Sequence, residues 1–282
     1  MYNLGTAFYS GSKIGLIDVR SYHTMSEATA GVRYLMYYHQ QGLDEAERQL
    51  LQRLFWLLFA GSCTVDILGR LPISILAQDQ LDAFARPLEK SDEQLDPPVA
   101  QEDCQEWHGN YTSYVPGLNC LSNLYLIWQE ARSTNSSNPV ETYLKGLQRV
   151  MDNFPPELRW RGGLSRPSNV TYGHDVQVAN LFVTSLHIRS NLIQRFGTPE
   201  IRLKEHPKII DDLLEVLYHL PQAVFDANGS SLVPKIRDMG AAYLEQIRMT
   251  GLERSDRDDE SQGKLTRLLQ KLDELDYQQV ID

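Results

Sequence analysis

The segment 44–72 limits what this chain can fold into more than any other. It opens with Asp44, Glu45 and Glu47, runs through Leu50, Leu51, Arg53, Leu54, Phe55, Trp56, Leu57, Leu58 and Phe59, and closes with Leu68, Gly69, Arg70, Leu71 and Pro72. Leu50, Leu54, Leu57, Leu58, Gly61, Val65 and Leu68 recur at spacings of three and four, which puts one broad apolar face on a helix. Both ends are marked. Asp44 suits the N-cap, and Glu45 and Glu47 suit the positive end of the helix dipole. Gly69 can take the left-handed stop, and Pro72 cannot continue the helix.

The rest of the chain repeats this helical period. Thr24 and Glu27 have the spacing of a capping box ahead of Ala28, Val32, Leu35 and Met36. Further helices are expected from about Pro116 to Ala131, from Pro139 to Met151 and from His174 to Phe196. Pro207 and Pro234 are each expected to open another, and the last runs from about Gly263 to Tyr277. A weaker candidate lies over residues 3–18. No stretch shows sustained alternation with Val, Ile and Thr enrichment. The expectation is an all-α fold, an irregular bundle or array of about nine or ten helices around an apolar core in one domain over residues 1–282. Residues 86–106, with Glu89, Asp92, Glu93, Asp96, Glu102 and Asp103 around Pro97-Pro98, read as a solvated acidic loop. The run Asp256 to Glu260 reads as another.

Charge and cysteine usage exclude some functions. A net charge of −10 repels a phosphate backbone, so no direct nucleic-acid contact is expected. Cys63, Cys104 and Cys120 are the three cysteines, far apart and without a Cys-x-x-Cys pair, so neither a zinc cluster nor a redox pair is encoded. The N-terminus carries no secretory signal, and the run Leu54–Ala60 is too short to span a membrane. These features imply an intracellular protein, nuclear or cytoplasmic, without membrane contact. No metal site and no cofactor motif is present: phosphate loops, Gly-x-Gly-x-x-Gly, His-Glu-x-x-His and Gly-x-Ser-x-Gly are all missing.

Arg53 followed by the Trp56-containing apolar run and then Pro72 resembles the signature helix of the fungal-specific transcription factor domain. That domain is the all-helical middle homology region of fungal binuclear zinc cluster regulators. Phe154-Pro155-Pro156-Glu157-Leu158-Arg159 resembles its Leu-Pro-Pro-Glu-Leu-Arg segment. Residues 178–194, with Leu186-His187 and Arg189, resemble the helix that follows, and Ser231 to Arg237 resembles a late helix start. The resemblance covers roughly Ser26 to Leu252 and implies a regulatory or ligand-sensing domain. The chain enters that domain some way in and carries no zinc cluster. It also departs from the pattern at Ser62, Cys63, Asp66 and Leu71, where an acid–Arg pair and an Arg before the proline are replaced.

These departures keep a second reading open, in which the scaffold serves as a small-molecule binding protein or a cyclase-type enzyme with an internal apolar pocket. Whether the chain is an enzyme is left undecided by the sequence. The candidate catalytic groups are Asp66, His187 and Tyr114. Asp66 can pair with Arg70 four residues on. His187 is expected to bond a backbone or hydroxyl group inside the core. Candidate ligand-binding residues are Trp56, Arg70, Trp107, His108, His174 and Arg189. Trp107, His108, Tyr111 and Tyr114 could roof a pocket. Arg189 falls on an apolar face and should meet an acid, Asp66 being one candidate. His174 and Asp175 sit in the first turn of their helix, where capping is the plainer use. An apolar small molecule, a protein partner or a second copy of the chain are the partners to expect.

Overall fold

The computed structural model describes residues 19–70, 85–95, 112–133, 140–160, 162, 169–250 and 256–278. Among them the fold is all-α, with no strand. Ten helices follow in order: α1 Val19–Tyr38, α2 Glu45–Ile67, α3 Asp92–Leu95, α4 Val115–Ser133, α5 Val140–Asp152, α6 Tyr172–Phe196, α7 Pro199–His219, α8 Gln222–Asn228, α9 Val233–Thr250 and α10 Asp256–Gln278. The candidate helix at 3–18 lies outside the described residues.

Helix α2 has the ends its sequence marks. Asp44 accepts from the backbone N–H of Glu47 at 2.8 Å, and Glu47 accepts from the N–H of Asp44 at 3.1 Å, a reciprocal capping box. Gly69 stops the helix with φ of 69°, a region that favours a residue without Cβ. Its buried stripe is shifted from the leucine stripe, however. Leu51, Phe55, Trp56, Phe59 and Cys63 are buried, whereas Leu50 is 54% exposed. The aromatic rings decide the rotation, because each removes more apolar area from water than a leucine does. On length and composition alone α2 could cross a membrane, its most apolar window being longer than Leu54–Ala60. Half of that window is buried against the rest of the protein, and buried core helices share this composition.

The chain divides into two compact units. The described residues of Met1–Val65 and Leu71–Ser122 form the first, and those of Asp66–Arg70 and Asn123–Asp282 the second. In the first unit, part of the acidic segment is tied down rather than loose. Arg53 pairs with Asp92 and donates to the carbonyl of Lys90 at 2.7 Å. Gln49 accepts from the N–H of Leu88 at 2.7 Å, and Trp56 donates its indole N–H to the carbonyl of Ala85 at 3.2 Å. Ser91 and Gln94 cap the short α3 reciprocally. Hydrogen-bonding partners on α2 explain why residues 85–95 are ordered despite their charge.

The second unit packs α6, α7, α8, α9 and α10 around one core, with Ile193, Leu213, Leu217, Phe225, Ile236 and Tyr243 all nearly inaccessible to water. Gly197 ends α6, and a side chain there would run into the carbonyl of Ile193. Three expected starts move. Helix α7 begins at Pro199 behind the N-cap Thr198 and continues through Pro207. Pro207 removes one intrahelical bond, which would have gone to the carbonyl of Leu203 on the exposed side of the helix. Helix α10 begins at Asp256, so the acidic run lies in its first turns rather than in a loop. Helix α1 begins at Val19, which leaves Thr24 inside the helix and buried rather than capping it.

Candidate functional site

Helix α6 has two faces with different chemistry. One borders a cleft of about 330 Å³ shared with α5 and α7. Leu144, Leu147 and Met151 from α5, Phe182 and Leu186 from α6, Val216 from α7 and the ring of Trp160 supply its apolar walls. Helix α5 is strongly two-sided, with Val140, Tyr143 and Leu147 buried and Lys145, Gln148 and Arg149 exposed. Trp160 and Phe182 lie 6.1 Å apart between ring centres.

The polar groups of this cleft converge on Arg189. Its guanidinium donates to Glu205 at 2.6 Å and to Asp212 at 3.1 Å. Lys208 takes the other oxygen of Glu205 at 2.8 Å. Burial pushes the Glu205 carboxyl up, but the hydrogen bonds from Lys208 and Arg189 outweigh it and hold the group below its usual range. At Asp212 burial wins: its carboxyl lies above the usual range, against the pull of Arg189 and helped by the charges of Glu215 and Asp211. Glu215 accepts from the indole N–H of Trp160 at 3.1 Å.

The opposite face of α6 forms a buried polar seam against α9. Lys235 donates to Thr184 Oγ1 at 2.7 Å and to Asn180 Oδ1 at 3.3 Å. Both acceptors are neutral, and among the described residues no carboxylate pairs with the ammonium. Complete burial lowers its pKa to about 7. One turn along, His187 Nε2 lies 2.8 Å from Asp238, and Asn191 donates to the same carboxylate oxygen at 2.8 Å. Burial drives the His187 pKa down, against the hydrogen bond and charge of Asp238, so the ring stays neutral and its Nε2–H donates. Burial acts to raise the Asp238 pKa; the donors from His187 and Asn191 outweigh it and hold the carboxyl below the usual range. His187 Nδ1 and Ser190 Oγ are buried with no hydrogen-bond partner among the described residues.

The sequence-nominated residues do not gather into one site. Asp66 pairs with Arg132 and accepts from the indole N–H of Trp128 at 2.8 Å; it does not pair with Arg70. The helix ends at Ile67 and the turn at Gly69 carries Arg70 off its face. Arg189 meets Glu205 and Asp212, not Asp66. His187 meets a carboxylate, not a backbone or hydroxyl group. Tyr114 is 44% exposed, and Trp107, His108 and Tyr111 lie outside the described residues. Trp56 is buried beneath the guanidinium of Arg86, 3.5 Å from its ring centre. His174 completes a capping box with Thr171, its Nδ1 accepting from the Thr171 N–H at 3.1 Å. Of the nominated residues that are described, only Arg189 borders the cleft.

Sequence reasoning missed Lys235, Asp238, Glu205, Asp212 and Glu215. Lys235 stands at the start of α9, where a lysine reads as solvated surface. Its sequence signal is its place in the apolar period of Leu232, Ile236 and Met239, which are buried alongside it. Among the described residues, no three His, Cys, Asp or Glu side chains stand together as a metal site. No family model, curated protein or solved structure matches the chain.

Proposed function

We propose that this chain is a ligand-sensing regulatory module, of the kind its sequence resembles, which acts inside the cell through protein contacts rather than by binding DNA itself. The observation that carries the reading is the cleft between α5, α6 and α7. It has the size and the apolar walls of a small-molecule site, with a few polar groups among them. Arg189 is held there by two carboxylates, which fixes the polar edge of the cleft. The alternative of a cyclase-type enzyme draws on the same cleft, but with less support. Asp66, His187 and Tyr114, the groups proposed for proton transfer, are not among the residues that border it. His187 is also wholly shielded from solvent, out of reach of a substrate in that cleft.

A fusion of the whole chain to an unrelated DNA-binding domain tests the reading. Reporter output in a heterologous host should respond to extracts rich in small apolar metabolites. Met151→Trp, which places a large ring on the cleft wall, should abolish the response without lowering protein level. Output that ignores every extract, together with turnover of an extract component by the purified chain, would overturn the regulatory reading in favour of an enzyme.

A further inference from the structure

We infer that the cleft between α5, α6 and α7 takes a cationic amphiphile, an apolar body bearing one amine or quaternary ammonium, with the cation seated against the Glu215 carboxylate beside the Trp160 ring. The inference rests on the reading that this cleft is the ligand site. It follows from how the charges around the cleft are already committed.

Among the described residues, three carboxylates, Glu205, Asp212 and Glu215, border the cleft against one guanidinium, that of Arg189. Arg189 is used up by Glu205 and Asp212, and Lys208 adds a second cation to Glu205, not to Glu215. Among the described residues Glu215 keeps one side-chain donor, the neutral indole N–H of Trp160. Among the described residues no cation pairs with it. The raised Asp212 carboxyl, to which the charge of Glu215 contributes after burial itself, fits a surplus of negative charge at this edge.

An anionic ligand would add to that surplus. A neutral one would fill the apolar walls and leave the surplus unanswered. A cation answers both: it pairs with Glu215 and can lie against the Trp160 ring, while its apolar body covers Leu147, Met151 and Phe182. A volume of about 330 Å³ suits a compact molecule such as a short alkyl or arylalkyl amine.

The test titrates the purified full chain with octyltrimethylammonium below its micelle concentration, with octanoate and with octanol, by calorimetry. The ammonium should bind saturably and at least tenfold more tightly than octanoate. Glu215→Gln, at an exposed position where folding is undisturbed, should weaken the ammonium tenfold or more and leave octanol unchanged. Met151→Trp at the half-buried wall, or Gln148→Trp at the exposed rim should the first perturb folding, should weaken all three. If octanoate binds as tightly as the ammonium, or if Glu215→Gln leaves the ammonium affinity unchanged, the cation assignment falls. The cleft survives that outcome as a site provided binding stays sensitive to the wall substitutions. If none of the three binds, the cleft reading and the cation assignment fall together.

Discussion

The ammonium of Lys235 is buried 2.7 Å from the hydroxyl of Thr184, and among the described residues its hydrogen-bond acceptors are neutral. Its folded pKa of about 7 lies below the ordinary value of 10.5. Below pH 7 both folded and unfolded chains carry the charge, and the folded state bears the full cost of burying it. Between about pH 7 and 10 the unfolded chain holds the proton that the folded one has released. Stability from this group therefore rises with pH, by at most about 1.4 kcal/mol per unit. Lys235→Met removes the titration. The difference in unfolding free energy between wild type and Lys235→Met, followed by urea melts from pH 6 to 10, should shift in favour of wild type as pH rises above 7. A difference that stays flat over that range would mean the ammonium remains charged in the fold.

Acid should act through two buried histidines. His206 is lowered to about 4 by burial and by the charge of Arg202, and His187 is lowered chiefly by burial, against the pull of Asp238. Unfolded, both take a proton near pH 6.5. As pH falls below that value the unfolded chain binds protons that the folded chain refuses, so stability is lost. For His206 the window is about pH 6.5 to 4. Each histidine contributes a slope of at most about 1.4 kcal/mol per unit. His206→Gln should flatten the fall in thermal midpoint between pH 6.5 and 4, and an unchanged slope would assign acid loss to other groups.

Much of the fold was legible because helix ends and apolar periods are local. Asp44, Glu47 and Gly69 act as caps using only near neighbours, so the sequence reading of α2 survives at both ends. What failed was non-local. Leucine spacing put Leu50 inside, but three aromatic side chains turned the helix by their greater burial. Pairings failed in the same way. Asp66 had a partner four residues away by periodicity, and the real one is Arg132, on another helix. Lys235 and Asp238 meet residues of α6 some fifty positions earlier in the chain, and no helical spacing reports such a distance.

The Asp66 pairing makes a direct test. Asp66 is largely buried, Arg132 lies about one third exposed, and Trp128 supplies a further donor. Removing the carboxylate strands two donors, so Asp66→Ala should cost about 2–4 kcal/mol. Asp66→Asn keeps an acceptor for Trp128 and should cost less. A double-mutant cycle of Asp66→Ala with Arg132→Ala should show a coupling of about 1–2 kcal/mol, where Arg70→Ala in place of Arg132→Ala shows none. Coupling to Arg70 in urea melts would restore the pairing that periodicity implied.

The rotation of α2 gives the sharpest contrast between adjacent residues. Leu50 and Leu51 have the same side chain on the same helix, and only the second is buried. Alanine has the higher helix propensity, so at Leu50 the change removes little but exposed surface and should stay within about 0.5 kcal/mol. At Leu51 it opens a cavity beside the buried aromatic residues and should cost about 2–4 kcal/mol. Phe55→Ala, at a site almost wholly shielded from water, should cost as much or more. Equal losses at 50 and 51 in denaturant melts would show that the leucine stripe, not the aromatic one, faces the core. A larger loss at Leu50 would mean that another surface covers that residue.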